Sequence, residues 1–256
     1  MGEGINPEEA FSKAVAIAAT LPTVRIDRDA YLRSALRRHC TPDQVERAIR
    51  ETPAAAGVPA IVLENAARAA IRIETTRVSM LSALAGIPGG LALIGTLPAD
   101  TVQYFGHMIR ISQKLAYLYS WPDLFSGEDN EMDDATMNVL ILFLGVMVGA
   151  NAASGAVNKL SQMVAQQVVR KLPQQALTKG IIYPLVKKVA TQLGVEMTRQ
   201  VFAKGVAKAV PIVGAVLSGG LTLATYAPMC HKLKKHLASS DLAKWEAVPA
   251  SETPDV

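Results

Sequence analysis

Five polar residues between positions 100 and 114 have the types and spacing that binding or catalysis would need. In a helix of about 100° per residue they fall within an arc of roughly 80°, and most of the remaining circumference is apolar or small. Two of the five are like charges one turn apart, so an acid or an anion is expected to face them. We call these residues the polar stripe: Asp100, Gln103, His107, Arg110 and Lys114.

Two interpretations of the polar stripe stay open. It is either a ligand or catalytic site, or a thin solvated face with a structural ion pair. The group facing its cations is predicted to be Glu131, Asp133, a phosphate or a lipid headgroup. Asp100 and His107 lie about 10 Å apart along a helix axis, which is far for direct acid–base coupling.

Motifs for metal binding and covalent catalysis are missing from the sequence. The dipeptides His39-Cys40 and Cys230-His231 contain ligand types, but neighbours on a helix point about 100° apart and seldom hold one ion. No C-x-x-C, H-E-x-x-H, EF-hand or nucleophile-elbow spacing occurs, and the glycines of 86–95 lack the Lys-Ser/Thr of a phosphate loop. We therefore predict no metal and no cofactor.

The composition indicates an apolar, mildly basic chain. Half of the residues are hydrophobic, the mean hydropathy is +0.23, and the formal net charge is +4. Two cysteines give no disulfide framework, which fits a reducing compartment. Acidic residues precede the first lysine, so the start of the sequence does not resemble a signal peptide. These features predict a cytoplasmic protein.

The pattern of elements predicts an all-α fold with about nine helices and no useful strand pattern. We expect one domain over residues 1–238, consisting of an N-terminal helical extension (1–77) packed on the remainder (78–238), and a disordered tail (239–256). The predicted helices are two short ones within 27–50 with an N-cap at Thr41, then 60–80, 98–119, one from Asp133 or Asp134 through Val157, 157–171, 174–192 and 195–209.

Three windows lack Asp, Glu, Lys and Arg: Val78–Ala99, Ala135–Asn158 and Ala209–Cys230. Each could cross about 30 Å of hydrocarbon as a helix. Glycine and proline interrupt the first and third, however, and the strictly apolar part of the second is only Val139–Ala150. We expect packed interior helices, and an integral membrane protein with two or three spans stays an alternative.

Two of these windows contain similar stretches, GGLALIGTLP and GGLTLATYAP. Paired glycines let another helix approach the backbone closely, and a proline redirects the chain. The sequence thus predicts glycine- and proline-broken apolar hairpins in the core, although chance similarity remains an alternative. The residues predicted to allow close helix packing are Gly89, Gly90, Gly145, Gly149, Gly219 and Gly220.

Basic residues flank the third window. An apolar segment bordered by cations is typical of a helix that docks on anionic lipid. The alternative is an ordinary C-terminal helix with its lysines in water. Nucleic acid is not expected as a partner, because aromatic residues do not alternate with the basic ones. The predicted lipid-facing residues are Lys204, Lys208, Lys232, Lys234 and Lys235.

Three longer motifs carry a family resemblance: LAGIPGGLALIGTLPAD, QKLAYLYSWPDL and AKAVPIVGAVLSGG. Over about residues 78–238 the chain resembles the EcsC family of bacterial proteins, with Ser120 standing where the family pattern has glycine. The resemblance implies a bacterial helical protein near the cytoplasmic membrane, and it supplies no catalytic residues.

The leading hypothesis is a non-enzymatic, membrane-associated helical protein. It would bind anionic lipid or a membrane partner peripherally, at the inner face of the cytoplasmic membrane. The alternative from another class is an enzyme or small-ligand receptor that uses the polar stripe.

Overall fold

The computed structural model describes residues 7–85, 93–94, 97–125, 132–167, 171–207 and 211–244. Between residues 80 and 101 and between 196 and 223, side chains lie outside that description. The elements are α1 (Pro7–Thr20), α2 (Arg28–Leu36), α3 (Pro42–Arg50), α4 (Ala60–Ala85), β1 (Leu93–Ile94), β2 (Leu97–Pro98), α5 (Ala99–Leu118), α6 (Asp134–Val148), α7 (Asn151–Ala165), α8 (Gln174–Thr178), α9 (Tyr183–Ala207), α10 (Pro211–Ala238) and α11 (Asp241–Lys244).

The predicted all-α fold is confirmed, because helices from α1 to α11 contribute to one core. The two strands pair as a minimal antiparallel hairpin, Ile94 opposite Leu97, which the sequence did not predict. Two predicted helix starts are also confirmed. The Thr41 side chain accepts from the Gln44 N–H at the start of α3, and Asp133 caps α6.

Helix α6 forms the centre of the molecule. Of its residues from Ala135 to Met147, only Met137 is not buried. A helix that is apolar around its whole circumference must be surrounded by protein, and α6 packs against α7, α8, α9 and α10. Its two buried polar side chains are satisfied, since Thr136 donates to the Leu124 carbonyl and Asn138 to the Leu177 carbonyl.

The part of the second charge-free window that forms α6 is therefore core. In the described part of the chain, no helix has both the length and the apolar character needed to span a membrane. The predicted helix from Asp133 through Val157 is wrong, because Gly149 ends α6 with a φ of +88°. The N–H groups of Gly149 and Ala150 bond to the Val146 and Gly145 carbonyls, the pattern of a glycine helix stop. Helices α6 and α7 then pack against each other across this break.

Three other predicted boundaries are wrong. The helix predicted over 157–171 ends at Ala165, and the one over 174–192 is divided into α8 and the start of α9. Helix α9 continues through Gly194, because one glycine weakens a helix without ending it. Pro228 lies inside α10 rather than redirecting the chain. Buried residues that follow it on α10, Cys230 and Leu233 among them, hold the helix on α4.

Helix α5 ends at Ser120, where the resemblance to the EcsC family leads us to expect glycine. Ser120 has a φ of +68°, the left-handed conformation that glycine adopts most easily. The Trp121 N–H bonds to the Ala116 carbonyl, closing the same kind of helix stop. The Ser120 hydroxyl also accepts from the Ala54 N–H at 3.1 Å, which gives a serine a reason to occupy this position.

The N-terminal region belongs to the same core as the rest. Phe11 of α1 meets Phe105 of α5 edge to face, with ring centroids 5.4 Å apart. The buried amide of Gln113 accepts from the Ile26 N–H and donates to the Val24 carbonyl, both at 2.9 Å. These bonds attach the segment between α1 and α2 to α5.

The predicted disordered tail begins too early. Helix α11 lies within it, and Leu242 of α11 is fully buried. One buried leucine and the helical turn that carries it anchor this segment against α7. Residues 245–256 lie outside the described residues.

Candidate functional site

Three residues of the polar stripe meet one buried carboxylate, that of Glu74 on α4. The Lys114 ammonium lies 2.6 Å from Oε1, the Arg110 Nε 3.4 Å from the same oxygen, and the His107 Nδ1 3.1 Å from Oε2. Arg77, one turn further along α4, places a guanidinium nitrogen 3.3 Å from Oε1. We call these five residues the Glu74 cluster.

An acid does face the stripe, but it is Glu74 and not the predicted Asp133. Asp133 caps α6 and accepts a hydrogen bond from the Gln174 amide. Glu131 lies outside the described residues. The signal for Glu74 was present in the sequence, because at about 100° per residue it falls among the apolar residues of α4 such as Ala67 and Val78. A lone acid on an apolar helix face needs a cation from a neighbouring helix.

The remaining two stripe residues do not join the cluster in the described structure. Gln103 is exposed to solvent. Asp100 lies on the first turn of α5, and its side chain lies outside the description. The structure thus brings together His107, Arg110 and Lys114.

Glu74 is ionised in the folded protein. Burial raises its pKa, but the hydrogen bond from His107 and the charges of Lys114 and Arg110 outweigh burial, and the pKa falls to about 2. Because an ionised carboxylate only accepts hydrogen bonds, the His107 Nδ1 must carry the proton. The His107 backbone carbonyl accepts from the Tyr226 hydroxyl at 2.9 Å, which connects the cluster to α10.

The Glu74 cluster carries surplus positive charge. One carboxylate faces two guanidinium groups and one ammonium group, and all three cations share a single oxygen atom. These three cations and one carboxylate give a net charge of +2, His107 not counted. Chemically, this arrangement is suited to holding an anion rather than to removing protons from a substrate.

A second ion pair joins α4 to α10. The Glu64 carboxylate lies 2.7 Å from the Arg68 Nε and 2.5 Å from the Lys234 Nζ. The Lys234 side chain is only 12% exposed. Its prediction as a lipid-facing lysine is therefore wrong, because a nearby carboxylate draws the ammonium group into the helix interface.

The other predicted lipid-facing lysines differ in position. Lys235 and Lys232 are exposed, and the Lys232 ammonium lies near Gly149, 3.4 Å from where a Cβ would be. That position places the charge at the C-terminal end of α6, where a cation is favourable. Lys204 lies on α9 with its side chain outside the description, and Lys208 is outside the described residues.

The exposed sides of α4 and α10 form a cationic surface. On α4 the exposed charged residues are all arginines, because Glu74 is buried and Glu64 is paired. Burial, followed by the positive charge of Lys234 and then that of Arg68, lowers the pKa of His231, so His231 of α10 lies near Arg68 of α4. We call this surface the α4–α10 face: Ile61, Arg68, Arg72, Ile73, Arg77, His231 and Lys235.

The predicted packing glycines have different roles. A Cβ on Gly145 would lie 2.5 Å from the Val189 Cγ1 and 2.7 Å from the Ala153 Cβ, so Gly145 allows close contact of α6 with α7 and α9. Gly149 instead supplies the left-handed stop of α6. Gly219 and Gly220 lie on α10 without described surroundings, and Gly89 and Gly90 are outside the described residues.

Among the residues that the structure describes, no three His, Cys, Asp or Glu side chains are grouped so that they could hold a metal ion. Of the two cysteines, Cys230 is fully buried, and burial raises its pKa to about 12. A thiol that stays protonated is a poor nucleophile. The chemistry of the described site therefore lies in its cations.

Comparisons of the chain with protein-family models, curated proteins and solved structures found no match. The resemblance to the EcsC family thus stays a prediction, and the function is argued from the geometry of the molecule.

Proposed function

We propose that this protein attaches peripherally to anionic lipid through the α4–α10 face. The observation that carries the proposal is the composition of that face, where exposed arginine and lysine side chains stand beside exposed isoleucines and the nearby acids are buried or paired.

The charge of the molecule is concentrated on these two helices. Together α4 and α10 contain six arginines and lysines and two glutamates, which gives +4, the same as the formal net charge of the whole chain. A cation near an anionic membrane contributes about 1 kcal/mol of attraction, and this attraction decays within about 10 Å at ordinary salt. The α4–α10 face thus has the charge to orient the protein on such a surface.

Apolar contact would strengthen this attraction. Ile61 is 64% exposed and Ile73 is 47% exposed, and both lie on the same helix as the arginines. Complete burial of an isoleucine side chain contributes about 1.5–3 kcal/mol. Cations beside apolar side chains are the arrangement of a helix that lies in the membrane interface.

The test compares two double variants with the same loss of charge. Arg72→Gln/Lys235→Gln removes two exposed cations from the α4–α10 face, and Lys187→Gln/Lys188→Gln removes two exposed cations from α9. At about 1 kcal/mol each, the first variant should bind phosphatidylglycerol-containing vesicles about 30-fold more weakly than the unmodified protein. The α9 variant should lose little.

Binding is measured by flotation with vesicles of phosphatidylcholine, with and without phosphatidylglycerol, at low and high salt. We expect the unmodified protein to float with the anionic vesicles at low salt and to be released at high salt. The proposal is wrong if the unmodified protein stays unbound at low salt, or if both double variants lose the same affinity.

A further inference from the structure

We infer that the Glu74 cluster binds one phosphate-type anion, held by Arg77 and Arg110. The ligand is a phosphate monoester or inorganic phosphate. Arg110 of α5 takes no part in the proposed lipid attachment, whereas Arg77 of α4 also belongs to the α4–α10 face.

The first argument is charge. The Arg110 side chain is only 17% exposed and that of Lys114 11%, yet in the described part of the chain one carboxylate, that of Glu74, faces both of them and Arg77. Buried cations are costly unless anions compensate them. A phosphate monoester carries about −1.5 to −2 at neutral pH, which matches the surplus of the cluster.

The second argument is the set of unused donors. Arg110 contacts Glu74 only through Nε, and in the described part of the chain its two terminal nitrogens have no partner. A guanidinium group with both terminal nitrogens available binds a phosphate through two parallel hydrogen bonds. Arg77 contributes one nitrogen to Glu74, so the remaining nitrogens of its guanidinium group can add donors.

A third observation comes from the other side of Lys114. The ring of Tyr31 lies 5.8 Å from the Lys114 Nζ. Its hydroxyl is buried and has no hydrogen-bond partner. Buried hydroxyls are nearly always satisfied by protein, water or a ligand. The polar interior around Lys114 therefore has hydrogen-bonding capacity that the described side chains do not fill.

Inorganic phosphate is the probe for the first experiment, with sodium chloride at the same ionic strength as the reference. We expect phosphate to raise the melting temperature of the protein in a saturable manner. Arg110→Gln should weaken phosphate binding at least tenfold, the usual effect of losing a charge-assisted pair of hydrogen bonds. Arg110→Gln leaves the shorter contact between Lys114 and Glu74, at 2.6 Å, in place. Arg77→Gln, at an exposed position, gives a second test.

Arg72→Gln is the matched control, since it removes the same charge from an exposed position on α4 and should keep the phosphate effect. The inference is overturned if phosphate does no more than chloride for the unmodified protein, or if Arg72→Gln loses as much as Arg110→Gln.

Vesicles separate the two sources of phosphate. Phosphatidic acid presents a phosphate monoester, whereas phosphatidylglycerol presents only a diester. If the ligand is a lipid headgroup, Arg110→Gln reduces binding to phosphatidic acid alone. If the ligand is soluble, Arg110→Gln abolishes the phosphate effect and leaves both vesicle affinities unchanged. The two proposals can fail independently of each other. Arg72→Gln/Lys235→Gln should weaken vesicle binding and should retain the phosphate effect.

Discussion

Replacing Glu74 with glutamine removes the negative charge of the cluster and keeps the shape of the side chain. Lys114 and Arg110 then face a neutral amide, while both stay largely buried. Removing one partner of a buried ion pair leaves the other charge uncompensated, and this destabilises the folded protein strongly.

The magnitude follows from the pKa of Glu74. Lowering the pKa from its ordinary value of 4.5 to about 2 corresponds to about 3 kcal/mol in favour of the ionised, folded form. Since the folded pKa lies below the ordinary one, this stabilisation is present above pH 4.5 and is lost as the pH falls toward 2. At pH 7, Glu74→Gln should therefore lower the free energy of unfolding by about 3 kcal/mol.

Urea unfolding of the protein and of Glu74→Gln, measured from pH 7 down to pH 3, tests this prediction. The difference in the free energy of unfolding should have its full value at pH 7 and should shrink below pH 4.5, where the Glu74 carboxylate of the unfolded chain begins to bind a proton. Glu64→Gln is the control on the same helix, because its side chain is 27% exposed and should cost about 1 kcal/mol or less. A pH-independent difference, or one below about 1 kcal/mol, would refute the reasoning.

Two further predictions concern the backbone and are measured by chemical denaturation. Gly145→Ala should destabilise the protein by about 1–3 kcal/mol, because its Cβ would lie 2.5 Å from the Val189 Cγ1. Gly155→Ala is the control: it lies in a helix interior with nothing within 4 Å of the new Cβ and should stabilise the protein by about 0.5–1 kcal/mol. Equal effects of the two substitutions would disprove this account of Gly145. Ser120→Ala should lose about 1 kcal/mol more of the free energy of unfolding than Ser120→Gly. Both variants lose the hydrogen bond from the Ala54 N–H, but only glycine relieves the left-handed backbone. A glycine variant less stable than the alanine variant would contradict this prediction.

The fold class and the caps could be predicted from the sequence because they depend on local signals. Thr41 and Asp133 bond to N–H groups three residues away. The stopping points of helices were harder to predict. Gly149 ends a helix while Gly194 does not. Gly149 has a left-handed φ of +88° whereas Gly194 stays within the helix, and the residue type alone does not distinguish the two.

The polar stripe could be predicted in part because helix periodicity is a local signal. The periodicity of α5 gave the shared direction of His107, Arg110 and Lys114, but their partner comes from a helix that ends before α5 begins. The apolar face of α4 marks Glu74 as an acid that needs a cation, but the pairing of α4 with α5 that supplies this cation is contained in no local pattern. The prediction for Lys234 failed because of another long-range contact: its partner, Glu64, lies 170 residues away in the sequence.

The most direct test of the proposed lipid attachment places a tryptophan on the α4–α10 face. Ile73→Trp and Ile181→Trp introduce the reporter at two exposed isoleucines, the second between α8 and α9. Fluorescence is measured with anionic vesicles that contain brominated lipid, and the signal of the unmodified protein is subtracted. We predict quenching of Ile73→Trp and none of Ile181→Trp. Equal quenching of both, or quenching of Ile181→Trp alone, would contradict the proposed attachment.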